Sequence, residues 1–286
     1  MSGTQSQRDR AFSETADPTA YVPRDATESA LGALQSWSRE GAVGPTVACL
    51  TAAPGLGKTF LLRLVESRLE RRASAAGGAR RAIYLPYAGL LPRDLCEWVY
   101  GLLGRAAPFG SGSTDEAGEA DDSRVALEAL TALADSGDSP FFLLMDDADS
   151  MPPETIRMWV DGLPREGSPL RLLLALNPDA KSSRLLASLD SLGILEASLD
   201  QPMSEEETAT YLKGRMRWAG LGGGSEGWEL DEVAMRRIHT LSGGVPLQVH
   251  RFAESIFASE AAERPSDLDT KLRREDWLGS PIEDDL

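Results

Sequence analysis

Two cysteines, two histidines and 29 basic residues are few for 286 positions, and each shortage narrows what the chain can be. Cys49 falls in a short apolar run and Cys96 in an apolar helical pattern, so they read as two buried thiols rather than a disulfide pair. With His239 and His250 alone, and no close cysteine cluster, a structural zinc site is not expected. Forty-five Asp and Glu give a formal charge of −16 and a pI near 4.6. That balance disfavours broad attraction to nucleic acid or to an anionic membrane. No stretch approaches the roughly 18 apolar residues of a membrane-spanning helix, and MSGTQSQRDR lacks the apolar centre of a signal peptide. The expectation is a soluble, cytoplasmic protein without membrane insertion. What the chain does have is 42% hydrophobic residues, enough for a real core, in a length that suits one large or two modest domains.

The stretch that organises the rest is TVACLTAAPGLGKTFL, Thr46 to Leu61. Val47 to Leu50 is a nearly continuous apolar run, the pattern of a parallel strand covered on both faces. Pro54, Gly55 and Gly57 then allow a turn tight enough for successive N–H groups to point at one place, which suits phosphate. A helix starting near Lys58 adds its dipole and its unpaired N–H groups. Lys58 supplies a mobile charge for the β and γ phosphates, and Thr59 a hydroxyl for magnesium. Ala52 stands where G-x-x-x-x-G-K-[ST] begins with glycine, and its methyl is small enough for the site to survive. An ordinary strand-to-helix turn ending in GKT is the competing reading.

In chain order, residues 1 to 20 form a loose polar arm and Thr27 N-caps a helix through Leu31, Leu34 and Trp37. Tyr21 or Val22 would wall the nucleotide base, or else simply pack the arm. Beyond the loop, Phe60, Leu61, Leu64, Val65 and Leu69 mark one helical face. Arg63, Arg68, Arg71 and Arg72 are a solvated face with Glu66 and Glu70 among them. A strand over 82–87 and a helix over 92–103 follow. APFGSGSTDEAGEADDS, residues 106–122, reads as a mobile surface insertion. After a helix over 124–134, the apolar strand Phe141 to Met145 ends in Asp146, Asp147 and Asp149. A carboxylate at the end of a central parallel strand lies beside the phosphate loop. There Asp146 would hold the metal and Asp147 act as base or orient a water. A helix over 153–163 and a strand over 170–176 lead to Asn177, which could bond the attacking water, although Asn-Pro is also a common turn opening. A last strand over 193–199 completes five strands with intervening helices, a doubly wound α/β pattern. From Gln201 the composition turns helical: 204–219 opens with a capping box, 221–227 is a flexible link, and helices over 230–241 and 245–261 complete three. The charged remainder offers Trp277 alone as a residue to dock. The division is therefore an arm over 1–20, a core over 21–200, a helical lid over 201–262 and an acidic tail over 263–286.

AAPGLGKT, LLMDDAD, Asn177 at the next strand end and the helical lid together resemble the AAA+ ATPases. The resemblance is closest to the ATPase domain of the general secretion pathway protein A, or ExeA-like, family. FSETADPTAYVPRDATESALGAL, LDQPMSEEETATYLKGRMRWAG and LSGGVPLQVHRFAESI carry it further, over residues 12 to about 262. It implies a doubly wound five-stranded parallel P-loop core with a three-helix lid, binding and hydrolysis of ATP with Mg2+, and assembly into homo-oligomers. Nucleotide contacts would come from Ala53, Pro54, Gly55, Leu56, Gly57, Lys58, Thr59 and Phe60, from Tyr21 and Val22, and from Pro246. Thr59 and Asp146 would hold Mg2+, and Asp147 and Asn177 would be the hydrolytic pair. Three departures suggest slow turnover, or binding without it. The family commonly has Glu at position 147; Leu247 stands where it has arginine after the proline; and between Asn177 and Gln201 the one arginine is Arg184, while Arg251 is a stand-in from the lid. A supplied arginine is worth about 10³ to 10⁵ in rate. Family members often continue into a membrane helix and a peptidoglycan-binding segment, which these residues do not include, so a soluble switch acting on an unknown protein partner is expected. The alternatives are a degenerate nucleotide-binding interaction module and an ATP-dependent DNA-binding adaptor of transposition type. For the adaptor, Lys213, Arg215 and Arg217, or Arg236 and Arg237, would form a local basic patch, or else a solvated helix face.

Overall fold

The computed structural model describes residues 10–39, 44–75, 77, 81–109, 116–135, 140–221 and 230–260. The chain forms two compact units, Thr15–Gln201 and a second made of Met1–Glu14 with Pro202–Leu286.

In the first unit the apolar runs become β1 (Val47–Ala52), β2 (Ala82–Leu85), β3 (Phe141–Met145), β4 (Leu170–Leu176) and β5 (Ile194–Leu199). They form one parallel sheet in the order β2-β3-β4-β1-β5, with β1 between β4 and β5. Every residue of β3 and β4 is buried, as strands covered on both faces must be, whereas the edge strand β5 is half exposed. The helices are α1 (Asp25–Arg39), α2 (Lys58–Ala75), α3 (Pro92–Leu102), α4 (Glu116–Asp135), α5 (Pro153–Gly162) and α6 (Ala180–Leu189). On one face Val47, Leu143 and Leu172 pack with Val99 of α3, Leu130 of α4, Trp159 of α5 and Leu185 of α6. Against the other lies α1, whose Trp37 meets Phe142 edge-on at 5.5 Å. Arg171 of β4 is fully buried there and donates to the Trp37 carbonyl at 2.5 Å. Cys49 and Cys96 are both buried and unbonded in the first cluster, and burial raises each thiol to about 12.

The glutamates of α2 serve the sheet instead of the arginines around them. Glu70 Oε1 accepts the Arg81 and Ala82 amides at 2.9 and 2.8 Å, and Glu66 Oε1 accepts the Tyr84 amide at 3.2 Å. Only Glu66 also meets an arginine, Arg63, at 2.6 Å.

The second unit holds α7 (Glu205–Trp218), α8 (Glu232–Ser242) and α9 (Pro246–Glu260). The Ser204–Glu207 capping box opens α7 as read from sequence. Leu212, Ile238 and Val249 form its core together with Ala11 and Phe12. Residues 10–14, helical at 10–12, are thus an integral part of this packing, which corrects the reading of a loose arm over that stretch of 1–20. The reason is Arg215: 1% exposed, it donates to the Ala11 and Ser13 carbonyls at 2.9 and 3.2 Å. Arg215 is therefore no part of a surface patch. Helix α4 begins at Glu116, eight residues before the expected start at Arg124, so it takes in the end of the stretch read as an insertion. Residues 110–115 of that insertion, residues 222–227 of the link and the tail with Trp277 lie outside the described residues.

Candidate functional site

The parallel register brings the carboxyl ends of β1, β3 and β4 side by side, so residues remote in sequence meet. Beyond β1 the chain turns through Gly55 and Gly57, both at positive φ (83° and 101°), a conformation that costs glycine little. Ala52 ends β1 and is not among the positive-φ residues, so the missing first glycine leaves no strain. α2 then starts at Lys58, and its first hydrogen bond runs from Leu61 N to Gly57 O. The amides of Gly57, Lys58, Thr59 and Phe60 have no acceptor among the described residues, as the first turn of a helix requires. They form a ready anion cradle.

Lys58 Nζ donates to Ala52 O at 2.7 Å and to Asn177 Oδ1 at 2.9 Å, 119 positions away. Thr59 Oγ1 donates to Asp146 Oδ2 at 2.6 Å, across 87 positions. Asn177 Nδ2 in turn donates to Asp149 Oδ2 at 3.1 Å, and the Asp147 amide to Asp146 Oδ1 at 3.1 Å. A hydroxyl and a carboxylate so close are hard oxygen donors of the kind Mg2+ takes, and the four open amides suit its phosphates.

Asp147 is exposed and sits at φ 46°, ψ 43°, the one non-glycine positive φ among the described residues. Short polar side chains tolerate this backbone better than longer ones, which fits aspartate here. Partial withdrawal from water, then the Asp146 and Asp149 carboxylates, raise its carboxyl above the usual range, with Lys58 opposing. Burial lowers the Lys58 ammonium against the pull of Asp146, Asp147 and Asp149.

Residues 42–182 match the family described as AAA domain. No curated protein matches the sequence. Among solved structures, Cdc6p from Pyrobaculum aerophilum superposes with a TM-score of 0.60 at 20% identity, over 92% of this chain and 66% of that one. The Aeropyrum pernix ORC1 protein in complex with DNA gives 0.63 at 19%, over 90% and 65%. The Thermotoga maritima RuvB Holliday junction branch migration motor gives 0.51 at 17%, over 88% and 68%. The chain thus spans about two thirds of the length of these proteins. The α/β unit has the AAA+ P-loop fold.

Within this AAA+ core, Ala53 to Phe60, Asp146, Asp147 and Asn177 lie at the adjoining ends of β1, β3 and β4, where sequence reading put them. Tyr21 stacks on Phe60 at 6.1 Å and 21°, with Arg68 5.8 Å above its ring, and its hydroxyl bonds Glu28. Val22 is half-buried beside it in sequence. Pro246 belongs to the other unit, where it opens α9; Arg251 of that helix is bonded to Glu14 at 3.3 Å. Two residues of the AAA+ core escaped sequence reading. Arg24, buried, donates to the Leu56 carbonyl of the loop and to Thr27 Oγ1 at 2.6 Å. Tyr84 donates its phenol to Asp146 Oδ2 at 3.1 Å. Tyr84 carries no local signal beyond being a polar group in an otherwise buried strand, and Arg24 none beyond standing just before α1. No helix among the described residues is long and apolar enough to cross a membrane.

Proposed function

We propose that the AAA+ core binds ATP with Mg2+ and hydrolyses it slowly, and that the bound nucleotide governs assembly of the chain with itself or with a protein partner. The observation that carries this reading is the convergence of Lys58 on Asn177 and of Thr59 on Asp146 beside four open amides. Thr59 and Asp146 would hold Mg2+, which would offset the charge of the phosphates. Lys58 would turn its ammonium from the Ala52 carbonyl toward phosphate oxygens, with Asn177 Oδ1 as its other partner. Asp147, held outward by its left-handed backbone, orients a water and takes its proton on a carboxylate oxygen. Tyr21 and Phe60 offer an aromatic wall to a base, with Val22 next to Tyr21 in the chain. The order of motifs along the chain supports placing it near the secretion-pathway protein A ATPases, and the scarce arginines support slow turnover.

The test is ATP binding and steady-state hydrolysis with Mg2+ across protein concentration, on the wild type and Lys58→Ala. Turnover rising steeply with concentration, with binding lost in the variant, supports an ATPase completed by neighbouring subunits. Binding without turnover leaves a nucleotide-sensing module, and unchanged affinity in Lys58→Ala removes the phosphate-loop reading.

One observation favours a second reading, an ATP-dependent DNA-binding adaptor. Arg72 of α2 lies near Arg68 of the same helix and Arg39 at the end of α1, where it bonds Ser38 at 3.1 Å, and Arg71 is its neighbour in the chain. No carboxylate among the described residues pairs with these four, because Glu66 and Glu70 are turned to β2. Burial, then Arg39 and Arg68, lowers the Arg72 guanidinium. On this reading duplex DNA binds with an affinity that falls steeply with salt, and the triple change of Arg68, Arg71 and Arg72 to Gln flattens that dependence. Salt-independent or absent DNA binding sinks it.

A further inference from the structure

The Asp146 carboxylate is held from three sides. Oδ2 accepts the Thr59 hydroxyl at 2.6 Å and the Tyr84 phenol at 3.1 Å, and Oδ1 accepts the Asp147 amide at 3.1 Å. An ionised carboxylate offers about four lone-pair sites, so three are taken and one is left for a cation. Of the three donors, Thr59 is itself a proposed metal ligand and the Asp147 amide belongs to the next residue. Tyr84 is the donor that reaches Asp146 from another strand and has no other task at the site.

Tyr84 is in turn fixed twice by α2. Glu66 Oε1 accepts its amide at 3.2 Å, while the Arg63 guanidinium lies 4.8 Å from its ring centroid and is tied to Glu66 Oε2 at 2.6 Å. The phenol is also neutral, so it orients the carboxylate without competing with a cation for its charge, as a lysine or arginine in the same place would.

Building on the nucleotide and magnesium reading above, we propose that Tyr84 is the positioning residue for the metal carboxylate. Its phenol fixes the rotation of Asp146, and Arg63 and Glu66 brace the ring. Outer partners of ligating groups typically cost 10- to 100-fold in metal affinity when removed, about the effect expected here.

The experiment is a titration of free Mg2+ against ATP binding, followed by calorimetry, on the full chain and on Tyr84→Phe. Phenylalanine keeps the ring and the guanidinium contact and removes only the donor. The expected result is a half-saturating Mg2+ concentration raised about tenfold or more, with ATP affinity in EDTA and melting temperature both unchanged. A purely structural tyrosine would move the melting temperature and leave the Mg2+ midpoint alone, which overturns the proposal. Arg63→Met, which frees the ring, should shift the midpoint in the same direction by less; a shift there with none in Tyr84→Phe also overturns it. Thr59→Ala separates the two levels of inference. If it raises the midpoint and Tyr84→Phe does not, the Tyr84 assignment falls and the metal site stands. If ATP binding in the wild type ignores Mg2+, both fall together.

Discussion

Acid should loosen the helical unit through one residue, His250. Its ring is buried, stacks on Tyr211 at 5.6 Å, meets Phe12 edge-on at 6.5 Å and shares a 2.7 Å hydrogen bond with the Tyr211 hydroxyl. Burial first, and then the charge of Arg215, depress its pKa from the ordinary 6.5 to about 3. The folded state therefore keeps the imidazole neutral over a range in which the unfolded chain takes up a proton. The stabilising contribution is present in full above about pH 6.5 and fades as pH falls toward 3, at about 1.4 kcal/mol per unit. Between pH 7 and pH 5 the loss comes to about 2 kcal/mol. That figure hardly depends on the folded value, since at pH 5 the folded imidazole is neutral whether its pKa is 3 or 4. Urea unfolding followed by circular dichroism at both pH values, on the wild type and His250→Gln, isolates the histidine from the carboxylates, which both proteins share. The wild type should lose about 2 kcal/mol more than the variant over this interval. Equal losses would refute the assignment of a neutral, buried His250.

Asp147→Asn should retain ATP binding and lose turnover, because asparagine tolerates the same left-handed backbone but cannot take a proton; persistent turnover in a steady-state assay would remove Asp147 as the base. Gly243 and Gly244 both have positive φ, yet a Cβ on Gly243 meets nothing within 4 Å while one on Gly244 would sit 2.0 Å from the Met203 carbonyl oxygen. In thermal melts Gly243→Ala should cost about 1 to 2 kcal/mol and Gly244→Ala clearly more, and equal costs would contradict the turn geometry. Arg215→Met should destabilise by about 2 kcal/mol, since it strands the buried Ala11 carbonyl and removes the part-buried bond to Ser13, and should make residues 10–14 the first site of limited proteolysis; an unchanged cleavage pattern would show that the segment is held by other means.

Legibility followed how locally each feature is determined. β3 has the limits that its unbroken apolar run indicates, and β4 those of a run interrupted by Arg171 alone, because a strand buried on both faces leaves little polar to blur its ends. The capping box at Ser204 was equally plain, since both of its hydrogen bonds lie within four residues. The phosphate loop and the aspartates at the end of β3 were visible as residue types at strand ends. Which atoms they meet is set by strand order, and β1 lies beside β4 although β2 and β3 come between them in the chain. Tyr84 and Arg24 were missed for that reason: their partners, Asp146 and Leu56, are 62 and 32 positions away. Arg215 misled in the opposite sense. A charged residue on a helix reads as solvated, and nothing near it in sequence announces that residues 11 and 13 will bring carbonyls to meet it.

The glutamates that α2 turns toward β2 bear on how copies of this chain can meet. β2 is the outermost strand on its side of the sheet, and such a strand is a template for a foreign strand wherever its outward amides are free. Here the Ala82 and Tyr84 amides already end on carboxylates, so a second chain would have to displace two charge-assisted bonds before it could extend the sheet. Open-ended growth by strand addition, the common route to fibrous aggregates, is blocked at this margin. What β2 offers to a second chain is therefore side chains and not free amides.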